Sequence, residues 1–137
     1  MPAPLRFDSV EEGDELTARE LFLDKDQVRA YARAANQWAP RFTDDGGARQ
    51  EGLPGMITPG NMSLGLLAMF IEGWAGSGGL RRLGLTFRAL VIPGRTIRLC
   101  GAVTEKHAGR RSVELDVWLE GPEGERWVIG TATVDLT

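Results

Sequence analysis

Residues 55–74 read GMITPGNMSLGLLAMFIEGW, and the fold turns on how that run is taken. Thr58 is a good N-cap, and Pro59 suits the first helical position, where a missing N–H costs nothing. Beyond it Met62, Leu66, Met69 and Ile71, with Leu67 and Phe70 between them, make a helix apolar nearly all round to about Trp74. A helix of that kind is buried rather than laid on a surface. Gly60 and Gly65 would weaken an exposed helix; they fit where a backbone approaches a sheet closely. The run is too short to span a bilayer, so no membrane partner is expected.

A buried helix needs a sheet to bury it, and the rest of the chain supplies one. After Ala75-Gly76-Ser77-Gly78-Gly79 the period changes to two. Leu83, Leu85, Phe87 and Ala89 alternate with Gly84, Thr86 and Arg88. Ile97, Leu99, Gly101 and Val103 form a second set; Val113, Leu115, Val117 and Leu119 a third; Val128, Gly130, Ala132, Val134 and Leu136 a fourth. The links Pro93-Gly94, Ala108-Gly109 and Gly121-Pro122-Glu123-Gly124 carry turn chemistry. Short turns between four strands predict an antiparallel meander. Glu15 to Leu23 alternates imperfectly and adds a fifth strand, after a lead-in over residues 1–14.

Asp24 is a plausible N-cap for a helix from Lys25 to Ala35, with Val28, Tyr31, Ala32 and Ala35 on one face. The helix should weaken by Asn36. Residues 36–57 are irregular, rich in Gly and Pro, with a short helix near Asp44 to Gln50; irregular stretches this long are usually functional or mobile. The expectation is one α+β domain over residues 1–137, a five-stranded antiparallel sheet wrapped around a central apolar helix, of a size that supports a real core.

Bulk properties exclude several functions. A net charge of -3 gives no reason to expect nucleic-acid binding. Cys100 is the single cysteine and His107 the single histidine, far apart, so no metal cluster and no intrachain disulfide are expected. There is no P-loop or dinucleotide fingerprint. Pro2, Pro4 and early acidic residues leave no apolar leader segment, so the expected location is cytoplasmic. Nearly all cations are Arg; Lys25 and Lys106 are the only lysines. Arg81, Arg82 and Arg95, near strand ends, are in reach of ligand phosphates, although solvated arginines are the simpler reading.

Residues 31–45 read YARAANQWAPRFTDD. With TPGNMSLGLL, EGW and LGLTFRALVIPG downstream, this resembles the active-site region of the MaoC-like hydratases and dehydratases, hot-dog-fold proteins acting on acyl thioesters. The resemblance covers about residues 15 to 136. The family pattern is Tyr, a few small residues, Gly-Asp-x-Asn-Pro-x-His, then a helix opening on a small-residue turn. Tyr31, Pro40, Thr43 and Asp44 set the frame. The family's catalytic Asp then falls on Gln37 and its catalytic His on Phe42, and Ala39 stands where Asn is common. The resemblance implies a single hot-dog domain, no cofactor beyond an acyl-CoA or acyl-carrier thioester as substrate or ligand, and two hot-dog units paired with the thioester site between them, as a homodimer or a heteromer.

Hydration of an enoyl thioester needs a base for water, an acid for the α-carbon and a polarised carbonyl. Gln37 can orient a water but has no usable pKa, and Phe42 carries no lone pair for a proton. Asp44 and Asp45 are adjacent carboxylates, readable as a helix cap or as groups acting in the pocket. Gly60 and Asn61 present N–H groups at the positive end of the central helix, where a thioester carbonyl can dock. Trp38 and Met56, beside the loop and the helix start, join them as substrate-binding candidates. Glu72 is read as reaching solvent or an Arg, and His107 as part of an exposed turn. Trp118, on the strand face opposite Val117 and Leu119, points to a covered outer surface. Three readings stay open: a non-catalytic subunit of a heteromeric hydratase, a self-sufficient enzyme with altered chemistry, and an acyl-thioester or apolar-ligand binding protein.

Overall fold

Each run of period two becomes a strand in the computed structural model, which describes residues 5–137; residues 1–4 of the expected lead-in lie outside the described residues. The strands are β1 (Glu15–Leu23), β2 (Leu80–Phe87), β3 (Arg95–His107), β4 (Ser112–Glu120) and β5 (Arg126–Asp135). They form one antiparallel sheet in the order β1-β3-β4-β5-β2. On β4, Val113, Leu115, Val117 and Leu119 are buried, while Glu114, Asp116, Trp118 and Glu120 face the other side. The pairs Val117–Gly130 and Leu85–Gly130 put the inward positions of three neighbouring strands in line.

The helices are α1 (Lys25–Ala34), α2 (Asp45–Gln50) and α3 (Gly60–Ala75). Asp24 caps α1 by accepting from the Asp26 amide at 2.6 Å, and Val28 and Ala32 are its buried face. Asn36 ends that region in the left-handed conformation, at φ 58°, which Asn tolerates better than most residues. α3 packs against β1, β2 and β4. Since β1 and β2 are opposite edges, the sheet curls around the helix. Leu67 and Ile71 on α3 are fully buried, each burial worth roughly 1.5–3 kcal/mol.

Four expectations are corrected. The meander holds only for β3, β4 and β5, because β2 pairs with β5 and not with β3. The Arg88 and Ala89 amides both donate to the Trp127 carbonyl, so the chain leaves β2 still beside β5. It then crosses the domain, and the Gly94 amide donates to Leu23 O, which delivers β3 next to β1. Pro93-Gly94 ends a crossover rather than a hairpin. Alternation reports the face of a residue, not the neighbour of its strand.

The helix start lies further along than expected. Gly60 is the first residue of α3, and Pro59, at ψ 140°, occupies the cap position without a side-chain bond. Thr58 does not cap, because its amide donates to Val91 O and pins the residue outside the helix. Nor is α3 covered all round: Leu64 and Met69 are exposed in the single chain. Finally, part of the lead-in belongs to the core. Phe7–Ser9 form a 3-10 turn, Phe7 and Val10 are buried, and the Phe7 amide donates to Thr137 O. Among the described residues no helix is long and apolar enough to cross a membrane.

Candidate functional site

The first two amides of α3, those of Gly60 and Asn61, precede the first helical bond, which runs from Met62 N–H to Pro59 O. Both residues are exposed. The end of β2 overhangs them. A side chain at Gly60 would start 3.1 Å from Cζ of Phe87. Glycine therefore lets that ring close over the helix start. Phe87 is itself half exposed, so the overhang is open on its far side.

The loop before α2 is tied to this helix start. The Ile57 amide donates to Arg41 O at 2.7 Å, and the Met56 amide donates to Asp45 Oδ1 at 2.9 Å. Within the loop, Gln37 N–H donates to Ala32 O, and Pro40–Phe42 form a 3-10 turn. Phe42 is half-buried with the Arg41 guanidinium 5.6 Å from its ring centre. Arg41 pairs with Glu51 at 2.9 Å, and that bond holds the Glu51 carboxyl below its ordinary pKa. Trp38 points away into solvent, with its Nε1 donating to Asn36 Oδ1. Met56 is buried, and its outer side borders a depression shared with Asp45 and Pro93.

Both loop carboxylates are engaged. Asp44 caps α2, accepting from the Gly47 amide at 2.7 Å. Asp45 accepts from the Met56 amide and from Lys25 Nζ, each at 2.9 Å. The Met56 amide first, then Lys25, hold its carboxyl below the usual range.

Three buried side-chain oxygens have no hydrogen-bond partner among the described residues: Gln37 Oε1, Thr58 Oγ1 and Ser63 Oγ. All belong to the loop or to the start of α3. Buried polar atoms are rarely left unpaired, and the exceptions mark places that water or a ligand completes. Ser63 is legible in hindsight as the hydroxyl within a long apolar run. Thr58, expected as a cap, and Phe87, expected only as a member of the period-two run of β2, take their places from the tertiary arrangement.

The remaining candidates lie elsewhere. His107 ends β3, with Nε2 3.8 Å from Glu105 and 3.7 Å from Glu114. Counted from Arg95, that is roughly 40 Å of strand path. Trp118 is on the outer face, covered by the Arg126 guanidinium at 3.9 Å and donating to Glu120. Cys100 is buried beside it; burial first, then Glu120, push its thiol pKa up, which disfavours the reactive thiolate. Glu72 is exposed.

A long helix gripped by a curled antiparallel sheet of this strand order is a hot-dog fold. The family model described as "MaoC like domain" matches residues 8–120, and the chain belongs to that family. A solved MaoC-like dehydratase is 27% identical with a TM-score of 0.92, over 99% of this chain and 43% of the other, so this chain spans less than half of it. The ChsH1-ChsH2 complex from Mycobacterium tuberculosis contains a chain with a TM-score of 0.84 and 19% identity, over 93% of this chain and 98% of that one. The (R)-hydratase from A. caviae involved in PHA biosynthesis gives 0.86 and 19%, over 94% and 98%. No curated protein sequence matches the chain.

Proposed function

We propose that this chain is the non-catalytic hot-dog subunit of an acyl-thioester hydratase or dehydratase, completed by a second hot-dog chain that supplies the proton-transfer groups. One observation carries the reading: among the described residues, the two carboxylates of the loop beside the α3 start are both engaged with backbone amides rather than aimed at it. Gln37 and Phe42 stand at the positions where the family resemblance puts Asp and His, and neither can move a proton. Asp44 and Asp45 are committed to the α2 cap and to Lys25 and Met56. His107 lies at the far end of β3.

What remains is the electrophilic half of the chemistry. The Gly60 and Asn61 amides stand at the positive end of a 16-residue helix and can hold the oxygen of a thioester carbonyl as negative charge develops on it. The partner chain would then bring the base that activates water and the acid that protonates the α-carbon. Support for a partner comes from the open edge of β2, from the exposed Phe87 and Leu90 at its end, and from the similarity to a chain of a two-component complex.

The test is hydration of enoyl-CoA substrates, short, long and ring-bearing, by the purified chain alone and by the chain with a co-purified hot-dog partner. The reading expects silence alone and turnover with the partner. Turnover by the chain alone would overturn it and direct attention to Gln37, whose buried oxygen could then be holding the reacting water.

A further inference from the structure

The outer face of the sheet holds two opposite charges that the domain leaves alone. β4 is the middle strand of five, so β4 and its neighbour β5 form the crest of the curled sheet. On that crest Trp118 is paired with Ile129, and the Arg126 guanidinium lies 3.9 Å from the indole ring centre. Trp118 and Ile129 are only half-buried in the single chain. They border a depression of about 460 Å³ together with Arg126, Asp116, Thr131 and Gly84. A side chain at Gly84 would meet nothing within 4 Å, so the depression has room for a neighbour.

Asp116 and Arg126 are exposed, and neither makes an ion pair with a described residue. Elsewhere on this face opposite charges within reach do come together: Arg98 lies 3.6 Å from Glu20 and 3.8 Å from Glu120. The register says why Asp116 and Arg126 cannot do the same. Asp116 is opposite Thr131, Trp118 is opposite Ile129, and Glu120 is opposite Arg126. The two charges therefore flank the Trp118–Ile129 row on opposite sides, four residues of strand apart, or roughly 13 Å.

A second copy removes that separation. Sheets stacked face to face keep their strands within about 30° of each other. A two-fold axis between two such sheets can run across the strands, along the Trp118–Ile129 row. It lays the apolar row of one copy on the same row of the other and exchanges the two strand directions. Asp116 of one copy then comes over the Glu120–Arg126 row of the second. Glu120 is occupied there, since it accepts from Trp118 Nε1 at 2.8 Å. Arg126 is the exposed group that meets Asp116, and symmetry makes the pair twice. A two-fold contact requires a patch that is its own complement, and an apolar centre with a polar rim is ordinary interface anatomy.

We propose that the crest of β4 and β5 is a self-association surface, on which a second copy of this chain docks with Asp116 of each copy paired to Arg126 of the other. The contact uses neither the α3 start nor the β2 edge. It goes beyond the functional reading and does not rest on it. A hot-dog partner on the β2 edge and a second copy on the crest can be held together, which gives an assembly with two copies of each chain.

The experiment is sedimentation equilibrium of the full chain over a wide concentration range. The proteins are the native chain, Asp116→Arg, Arg126→Glu, and an equimolar mixture of the two variants. Each variant alone sets like charges against each other and should weaken self-association about tenfold or more. The mixture should associate again, because the cationic crest of one variant meets the anionic crest of the other. Circular dichroism establishes that both variants are folded. A native chain that stays monomeric, folded variants that associate as the native chain does, or a mixture that fails to recover would each overturn the proposal. Self-association through the β2 edge gives the second of these outcomes, since neither substitution touches that edge. No hydration is measured, so the result is independent of whether the chain takes part in catalysis.

Discussion

The two ends of the sheet treat polar groups in opposite ways. At the β3–β4 turn, Glu114 accepts from Thr133 Oγ1 with both oxygens and lies near His107, so the titratable groups there have one another. At the other end, beside the start of α3, the buried oxygens of Gln37, Thr58 and Ser63 have nothing. The end with His107 and Glu114 carries the C-terminus of α3, and the end with the α3 N-terminus has Asp44 and Asp45 already bonded to backbone amides. Shape and reactivity are thus separable in this fold. The free amides at the α3 start follow from the helix backbone and do not depend on which side chains occupy the loop.

The largest expected effect tests that separation directly. Gln37→Asp with Phe42→His should raise enoyl-CoA hydration by the chain roughly 10²–10⁴-fold, the range a positioned acid and base contribute. A stopped absorbance assay at the enoyl thioester band reads it, and an unchanged rate would mean that the helix start does not hold the carbonyl. Next in size is the core that both ends share. Leu67→Ala, at a fully buried α3 position, should lower stability by about 2–5 kcal/mol in urea unfolding.

A smaller effect concerns the brace between loop and helix approach. Asp45→Asn should cost about 1–2 kcal/mol through weakened bonds to Lys25 and the Met56 amide. Acid should act the same way. Because the folded state holds the Asp45 pKa low, its contribution is complete above the ordinary carboxylate pKa and disappears as pH falls through the depressed value. The Met56 amide shift followed by NMR through that window reads the loss. The smallest effect has the opposite sign. Ser63→Ala removes a buried hydroxyl without a partner and should leave the isolated chain unchanged or more stable by up to about 1 kcal/mol. A clear destabilisation would show that the hydroxyl is satisfied in solution.

The elements were legible because their signals are local. Period two marks a strand, Asp24 beside a run of helix formers marks α1, and Asp44 before the short α2 marks its cap. The place of β2 beside β5 was not legible, since Leu83, Leu85 and Gly84 say only that one side faces inward. The α3 start differs by one residue because the Thr-Pro pair fits two frames, and the Thr58 amide bond to Val91, distant in sequence, decides between them. In the candidate site, the loop and helix start were visible as a pattern. The anchoring of Asp45 by Lys25 and Met56 was not, nor was the overhang of Phe87 on Gly60, because each joins segments that only folding brings together.

The pairing of β2 with β5 also sets an order of events. A chain emerging from its amino-terminal end makes α3 and β2 well before β5, and among the described residues β2 has no other strand to pair with. Until Arg126–Asp135 arrive, the most apolar helix of the protein lies beside a strand with both edges bare. Ladders that wait on distant sequence form slowly and are open to wrong partners in the meantime. The last strand is therefore the closing step of assembly, and damage to it should appear as aggregation during synthesis before it appears as a loss of binding or catalysis.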